Sequence, residues 1–435
     1  MARRRPQAPP VVDLPPLEVA LTDAAFGGEA IGRLPDGRIV FVPRALPGER
    51  ARVRVVEERR DFARAELAGL ESVAPRRVEP PCPYYQAGCG GCSWQHAAYD
   101  YQLQLKQHVV IDQLRRIGHF SSPESLVRAP IGMLEPWHYR NQARFTVGRK
   151  FGELCFTLRA SHRLLRVDQC WIVHPTINSV LESLQGKMPT DRRIHQLLIR
   201  VGANTGQLLV APALPEIAEV ETGQAYVEEE LLGRRFRLQP PSFFQVNTRR
   251  ERRPLPVEVG TAVLPLPEAG LSMADILAVL VLNRVEPSSS DVVVDAYSGV
   301  GTFALLLAPL VREVIGIEEA KSAVRDAQHN AAGVPNVHFL QGKTEHVLPT
   351  LEHRPDAVIL DPARVGCDQA VLRALLSSRP ARVVYVSCDP TTLARDLRVM
   401  VDGGYLLAEI QPVDMFPQTY HIECVATLTS RGRSN

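Results

Sequence analysis

The chain has 435 residues, of which 45% are hydrophobic and 23% charged, and its formal net charge is +2. That length accommodates roughly two to four domains, and the composition is that of a soluble globular protein rather than a fibrous or disordered one. A near-neutral balance names no partner, so a nucleic-acid ligand has to be argued from local groups. No apolar run reaches the ~18 residues that a membrane span requires. The opening MARRRPQAPPVVDLPP is basic but has no apolar stretch, so it does not read as a secretion signal. Residues 1–13 therefore read as a disordered tail. Eight cysteines without an export signal place the chain in a reducing, cytoplasmic compartment, where thiols bind metal, react or pack.

Over residues 14–75 short apolar runs such as IVFV and VRVV alternate with PDG and PGE turns. That grammar predicts a small closed β-barrel. Residues 76–240 form a central α+β domain. It begins with a Pro/Gly/Cys loop, then shows helical spacing from about Ala97 to Ile117. ARFTVG, CFTLRA, HQLLIRVG and QLLVAP follow as strands, with a helix around Ile177–Leu184. Next, Arg249, Arg250, Arg252 and Arg253 make the densest basic patch, which is either a solvated charge run or a phosphate contact. The Pro-rich stretch behind it reads as a loop, and SSS before Asp291 as a linker. In the domain spanning residues 241–435, the apolar strands DVVVDAYS, EVIGIE, DAVILD and RVVYVS are each followed by a helical or Gly-rich stretch. This predicts an α/β domain with a mostly parallel, Rossmann-like sheet covered on both faces.

The chemistry concentrates at the C-terminal ends of those strands, where open α/β sheets bind ligands. Gly299 and Gly301 let a ligand approach the backbone, and with Ala304 they also satisfy a dinucleotide pattern. Glu318 ends the second strand, where a carboxylate accepts the ribose hydroxyls of NAD or of S-adenosylmethionine equally well. Asp361 in LDPAR and Cys388 in VSCDP end the next two strands. Asp361 either meets a ligand or caps the turn before Pro362. A helix starting near Thr391 would direct its N-terminus at the Cys388 sulfur and favour the thiolate. Glu423 in TYHIECVATL interrupts an apolar strand and shares a face with His421, so it is either solvated or a desolvated base.

Cys82, Cys89 and Cys92 form a C-x6-C-x2-C group within CPYYQAGCGGC. A fourth thiolate from among Cys155, Cys170, Cys367 and Cys424 would complete a structural zinc site or a [4Fe–4S] cluster, and spacing by itself favours zinc. WHYRNQARFTV, with Tyr139 and Arg140, is either an RNA contact or a half-buried strand start.

Taken together, FFQVN, DAYSGVGTF, DPAR, SCDP and HIE, in this order and spacing, resemble the RNA uracil-5 methyltransferases over nearly the whole chain. The resemblance implies a TRAM domain for the barrel and S-adenosylmethionine-dependent methylation of uridine C5. It implies Cys388 as the nucleophile that adds to C6 and Glu423 as the base. It assigns Gln245, Tyr297, Glu318 and Asp361 to the methyl donor. PCPYYQAGCGGC followed by VDQC resembles the iron–sulfur segment of the rRNA branch, which implies Cys82, Cys89, Cys92 and Cys170 as [4Fe–4S] ligands and 23S rRNA ahead of tRNA as substrate. Two positions depart from the family: Asp389 stands where Asn is usual, and Ser298 where Cys is usual. An ionised Asp389 would raise the thiol pKa. Two other classes compete: an iron–sulfur or NAD oxidoreductase, and a catalytically silent RNA-binding protein.

Overall fold

The computed structural model describes residues 16–190 and 194–430. The tail expected over residues 1–13 lies outside them.

The N-terminal strands β1 (Leu17–Ala24), β2 (Ala30–Arg33), β3 (Ile39–Val42), β4 (Arg50–Glu58) and β5 (Phe62–Ser72) close into a barrel in the order β1-β2-β3-β5-β4. Strand alternation explains it. Val19, Leu21, Val40, Val42, Ala51, Val53, Ala63 and Ala65 fill the interior, while Arg50, Arg52 and Arg54 stay outside. At Gly32 an added Cβ would stand 2.4 Å from the Val19 side chain, so only glycine fits this close approach. The loop after β1 rests on the far end of the chain. Phe26 meets Tyr420 edge-on at 5.7 Å, and Trp94 Nε1 donates to the Gly28 carbonyl.

After the barrel come α1 (Pro83–Gln86) and α2 (Tyr99–Arg116). The central sheet comprises β6 (Gln142–Val147), β7 (Leu154–Thr157), β8 (Leu164–Arg166), β9 (Gln196–Val201) and β10 (Leu208–Ala211), ordered β10-β9-β6-β7-β8. One face of it packs Phe145, Leu197 and Ile199 against Ile177, Leu181 and Leu184 of α3 (Pro175–Leu184). A hairpin of β11 (Val227–Leu231) and β12 (Arg234–Leu238) leads onward.

The C-terminal domain opens with α4 (Met273–Val285), apolar on every side and buried, its start fixed by a Ser272–Asp275 capping box. The Ser-rich stretch before Asp291 is a turn, not an interdomain linker: the Ser288 amide donates to Asp291, and α4 shares one core with the sheet behind it. Strands β13 (Val292–Ala296), β14 (Glu313–Glu318), β15 (Val337–Gln341), β16 (Ala357–Leu360), β17 (Arg382–Ser387), β18 (Tyr405–Val413) and β19 (Glu423–Ser430) form a seven-stranded sheet. Its order is β15-β14-β13-β16-β17-β19-β18, with β19 antiparallel to both neighbours and the rest parallel. Helices α5 (Thr302–Leu307), α6 (Lys321–Asn330), α7 (Thr344–Val347), α8 (Gln369–Ser378) and α9 (Pro390–Asp402) cover its faces.

Helix α2 ties the halves together through a buried ion pair. Lys106 Nζ donates to Asp414 Oδ1 at 2.6 Å and to the Phe416 carbonyl at 3.1 Å, and Tyr99 Oη donates to Asp414 Oδ2 at 3.0 Å. Both side chains of the pair are fully enclosed. Removing one partner strands the other charge without water. Lys106→Ala is therefore expected to cost about 3–5 kcal/mol of folding stability, measured by chemical denaturation; a loss under about 1 kcal/mol would contradict this account.

Candidate active site and thiol-lined cavity

The strand β13 ends in a turn, Tyr297–Gly301, whose shape is set by positive φ at Tyr297, Gly299 and Gly301 (75°, 55° and 84°). An added Cβ on Gly301 would stand 2.6 Å from the Phe339 ring, whereas Gly299 faces open space. Carboxylates accept from amides in and around this turn. Glu318 accepts from the amides of Gly299 (2.9 Å) and Ala320 (2.7 Å), and Asp295 Oδ2 accepts from the Ala304 amide (2.9 Å). A carboxylate offers about four lone-pair sites, so Glu318 retains acceptors for two ribose hydroxyls.

Asp361, half-buried at the end of β16, brings a further carboxyl to the same edge. Burial pushes Asp295 up to about 7, with Asp361 and Glu318 adding repulsion, and burial pushes Asp361 up to about 7 as well. Crowded acids with raised pKa values are stabilised by an incoming cation. A sulfonium supplies that charge. Tyr297 packs beside Cys367 and Thr344, Gln245 is half-buried, and Phe243, two residues before Gln245, is 65% exposed. The loop bearing both is held from below: Arg200 donates to the carbonyl of Ser242, and the Ser242 hydroxyl to Asp326.

On the next strand ends, β17 pairs with β19 so that Ser387 lies opposite Cys424. One further step in this register sets Cys388 opposite Glu423, on the same side of the sheet. The two groups feel each other. Cys388, half-buried, is pushed up to about 11 by burial first and then by Glu423, with Arg364 opposing and Asp361 and Asp389 adding smaller effects. Glu423 is raised well above the carboxylate range by burial and by Asp361. Its side chain is enclosed, so the solvated alternative is excluded, and β19 begins at Glu423 rather than at Thr419.

Several expectations are corrected here. Burial and Glu423 push Cys388 toward the neutral thiol, against the expected helix-stabilised thiolate, and Asp389 Oδ1 accepts from the amides of Thr391 and Thr392 at 2.9 and 3.2 Å. Asp389 thus serves as the N-cap of α9, and it is the smallest of the named influences on the sulfur. Tyr139 is buried and donates to the Pro417 carbonyl, so it is not free to stack on RNA. The arginine patch is largely structural: Arg250 pairs with Glu230 and Asp275, Arg253 donates to Gly132, and Arg249 to Trp137. Arg364 closes the DPAR motif. It stands 3.4 Å from both ring nitrogens of His421 and is the one cation among the named influences on Cys388. Burial and Arg364 lower His421 to about 3, so its ring is neutral.

Away from this edge, Cys82, Cys89, Cys92 and Cys170 line one cavity of about 250 Å³, walled also by Tyr84, Tyr85, Phe156 and Trp171. Cys155, Cys367 and Cys424 are buried elsewhere and do not line it. Among the described residues no three His, Cys, Asp or Glu side chains are grouped so as to hold a metal ion, so the geometry supports neither zinc nor a cluster. The mutual repulsion of the four thiols is already felt: burial and Cys170 raise Cys92, and burial raises Cys170 to about 11, with Cys89 and Cys82 adding to it.

A Gly-rich turn over a carboxylate-lined parallel edge, in one chain with a small barrel, defines an S-adenosylmethionine-dependent methyltransferase carrying an accessory β-module. The family model for tRNA (Uracil-5-)-methyltransferase matches residues 272–431, and that for the TRAM domain residues 17–68. An uncharacterized RNA methyltransferase of Gloeobacter violaceus is 36% identical over 464 residues, covering 94% of this chain and 95% of that protein. One from Halalkalibacterium halodurans is 35% identical, covering 95% and 96%. The crystal structure of Pyrococcus abyssi tRNA (uracil-54, C5)-methyltransferase with S-adenosyl-L-homocysteine superposes with a TM-score of 0.69. At 23% identity, it covers 95% of this chain and all of that one, and so shares the fold. The chain belongs to the RNA uracil-5 methyltransferase family and is an RNA methyltransferase.

The raised Cys388 pKa has a direct consequence. Below about pH 11 the thiolate fraction, and with it alkylation by iodoacetamide, should rise about tenfold per pH unit. Glu423→Gln removes the negative charge that Glu423 carries once it ionises, so the midpoint should fall and the rate just below it should increase. Peptide mass spectrometry at Cys388 reads both. A wild-type midpoint near the ordinary ~8.5 of a free cysteine would contradict this electrostatic picture.

Proposed function

We propose that the protein methylates C5 of a uridine in 23S rRNA in the cytoplasm, through a covalent adduct between Cys388 and C6 of the base. The observation that carries this reading is the β17–β19 register, which sets a half-buried thiol opposite an enclosed carboxyl at the edge where the acidic turn lies. S-adenosylmethionine, when bound, supplies an electrophilic methyl group. Gln245, Tyr297, Glu318 and Asp361 would hold it, Glu318 through its remaining ribose acceptors.

Uracil C5 is a poor nucleophile. The Cys388 sulfur, on losing its proton, adds to C6, and the electron pair of the broken C5–C6 double bond makes C5 enolate-like and nucleophilic. After C5 takes the methyl group, Glu423 removes the C5 proton, the double bond reforms and the sulfur leaves. The neutral resting thiol requires an acceptor for its proton. Asp361, a second carboxyl whose charge acts on both Cys388 and Glu423, would accept it when ionised. The target base has to leave its stack to reach Cys388.

The preference for 23S rRNA over tRNA rests on the barrel together with the thiol-lined cavity, the pairing that the rRNA branch resembles. In this reading Cys82, Cys89, Cys92 and Cys170 hold a [4Fe–4S] cluster. The all-thiolate donor set suits such a group. Its contribution is to bind the Cys82–Cys92 loop to Cys170, more than seventy residues on, since methyl transfer needs no electron.

RNA containing 5-fluorouridine, incubated with protein and methyl donor, should stall as a covalent complex, because fluorine cannot leave as a proton. Cys388→Ala should abolish the complex on denaturing gels, and Glu423→Gln should accumulate adduct with ordinary uridine; a complex that survives Cys388→Ala sinks the mechanism. Mapping 5-methyluridine in rRNA and tRNA from cells lacking the protein decides the substrate. For the cluster, anaerobic reconstitution should give about four irons per chain with thiolate-to-iron absorption, and Cys170→Ser should lower both. Full iron loading in that variant would reject Cys170 as a ligand.

A further inference from the structure

The face of the central sheet turned away from α3 is buried at Leu198 and Arg200 and opens at its far end into a basic groove. On β6, Gln142, Arg144 and Thr146 share that face by alternation, while Ala143, Phe145 and Val147 turn inward. At the near end Arg200 Nε donates to Gln142 at 2.7 Å, and Arg200 also donates to the Ser242 carbonyl, immediately before exposed Phe243. On the neighbouring strand Leu198 lies opposite Arg144 and Gln196 opposite Thr146. At the far end Thr146 and Gln196 join Arg149, Lys150, His162 and His195 around an open groove. Four residues of strand at about 3.3 Å each put Thr146 roughly 13 Å beyond Gln142, so the track is a few nucleotides long.

The charge on this track is not neutralised by the protein. Among the described residues Arg144, Arg149 and Lys150 have no carboxylate partner, and Glu153, on the facing strand side of the turn, lies 4.0 Å from Arg166. The barrel is different: Arg38, Arg50, Arg52, Arg59 and Arg64 each lie within 4 Å of a carboxylate. Lys150 Nζ stands 4.8 Å above the Phe151 ring, which is 59% exposed. Free cations beside an exposed aromatic ring match a phosphate backbone with an unstacked base. We propose that this groove binds the sugar–phosphate backbone of the substrate RNA on one flank of the target uridine, with Arg149 and Lys150 as phosphate contacts in the groove and exposed Arg144, which lines the thiol cavity, as a third beside it. The proposal rests on the RNA reading above and adds a docking surface to it.

The test uses the full chain and two fluorescein-labelled RNAs, a uridine-loop hairpin with single-stranded flanks and the same hairpin trimmed of them. Anisotropy titrations across a salt series give the slope of log K against log salt. The double variant Arg149→Ala/Lys150→Ala should reduce the slope on the flanked RNA by about 1.4–1.8, at about 0.7–0.9 per phosphate contact, and Arg144→Ala by about half that. The trimmed hairpin should lose less. An unchanged slope on the flanked RNA, with the variant's melting temperature unaltered, would overturn the groove assignment while wild-type methylation leaves the functional reading intact. Conversely, a wild-type protein that methylates no RNA would sink the functional reading, and the slope would still decide the groove.

Discussion

One strand pairing governs this molecule. β19 enters the sheet against the direction of every parallel strand and lies beside β17. Because antiparallel partners repeat every second residue on each face, a slip of one position would turn Glu423 to the opposite side from Cys388. The register is pinned on both flanks, since β18 also pairs with β19 and sets Val413 opposite Glu423. The loop between those strands is then anchored by the enclosed Lys106–Asp414 pair, by Tyr139 on Pro417 and by Gln102 on Gln418. The thiol and the carboxyl are therefore positioned by backbone pairing, with the loop held from the opposite side by helix α2.

The same enclosure controls charge. Asp295, Asp361 and Glu423 are all raised by burial, and each neighbouring acid makes the next harder to ionise. Such crowding of raised carboxyls favours a cationic ligand. Arg364 lies beside the neutral His421 ring, which is tilted 44° to Tyr420 with ring centroids 4.1 Å apart, and together they form a wall of this region. Local polarity, not overall charge, shapes this wall, which is consistent with a chain whose net charge is only +2.

Much of the fold was legible because periodicity and turn chemistry are local. The alternation in the barrel, the helix now placed at Tyr99–Arg116 and the four apolar strands β13, β14, β16 and β17 each announce themselves over a few residues. β15 escaped because VHFLQ is an edge strand with mostly exposed side chains, and α4 because a helix apolar on all faces has no period to detect. The site residues could be named from motifs, but not their states. The capping by Asp389 that occupies the α9 amides, and the burial that reverses the sulfur's expected ionisation, are tertiary facts. Tyr139 and the arginines after Asn247 mislead for the same reason: an aromatic or basic side chain looks identical in sequence whether it faces solvent or satisfies a buried carbonyl.

The contact of Phe26 and Gly28 with Tyr420 has a consequence for how such proteins diversify. A module joined only by a flexible tether can be exchanged for another between lineages. Here the N-terminal unit touches the residue next to His421, and a side chain at Gly28 would crowd the Tyr420 and Ser93 Cβ atoms at 3.2 and 3.1 Å. The two units must therefore change in concert, so the joint between them constrains the pair's evolutionary history as tightly as the chemistry does.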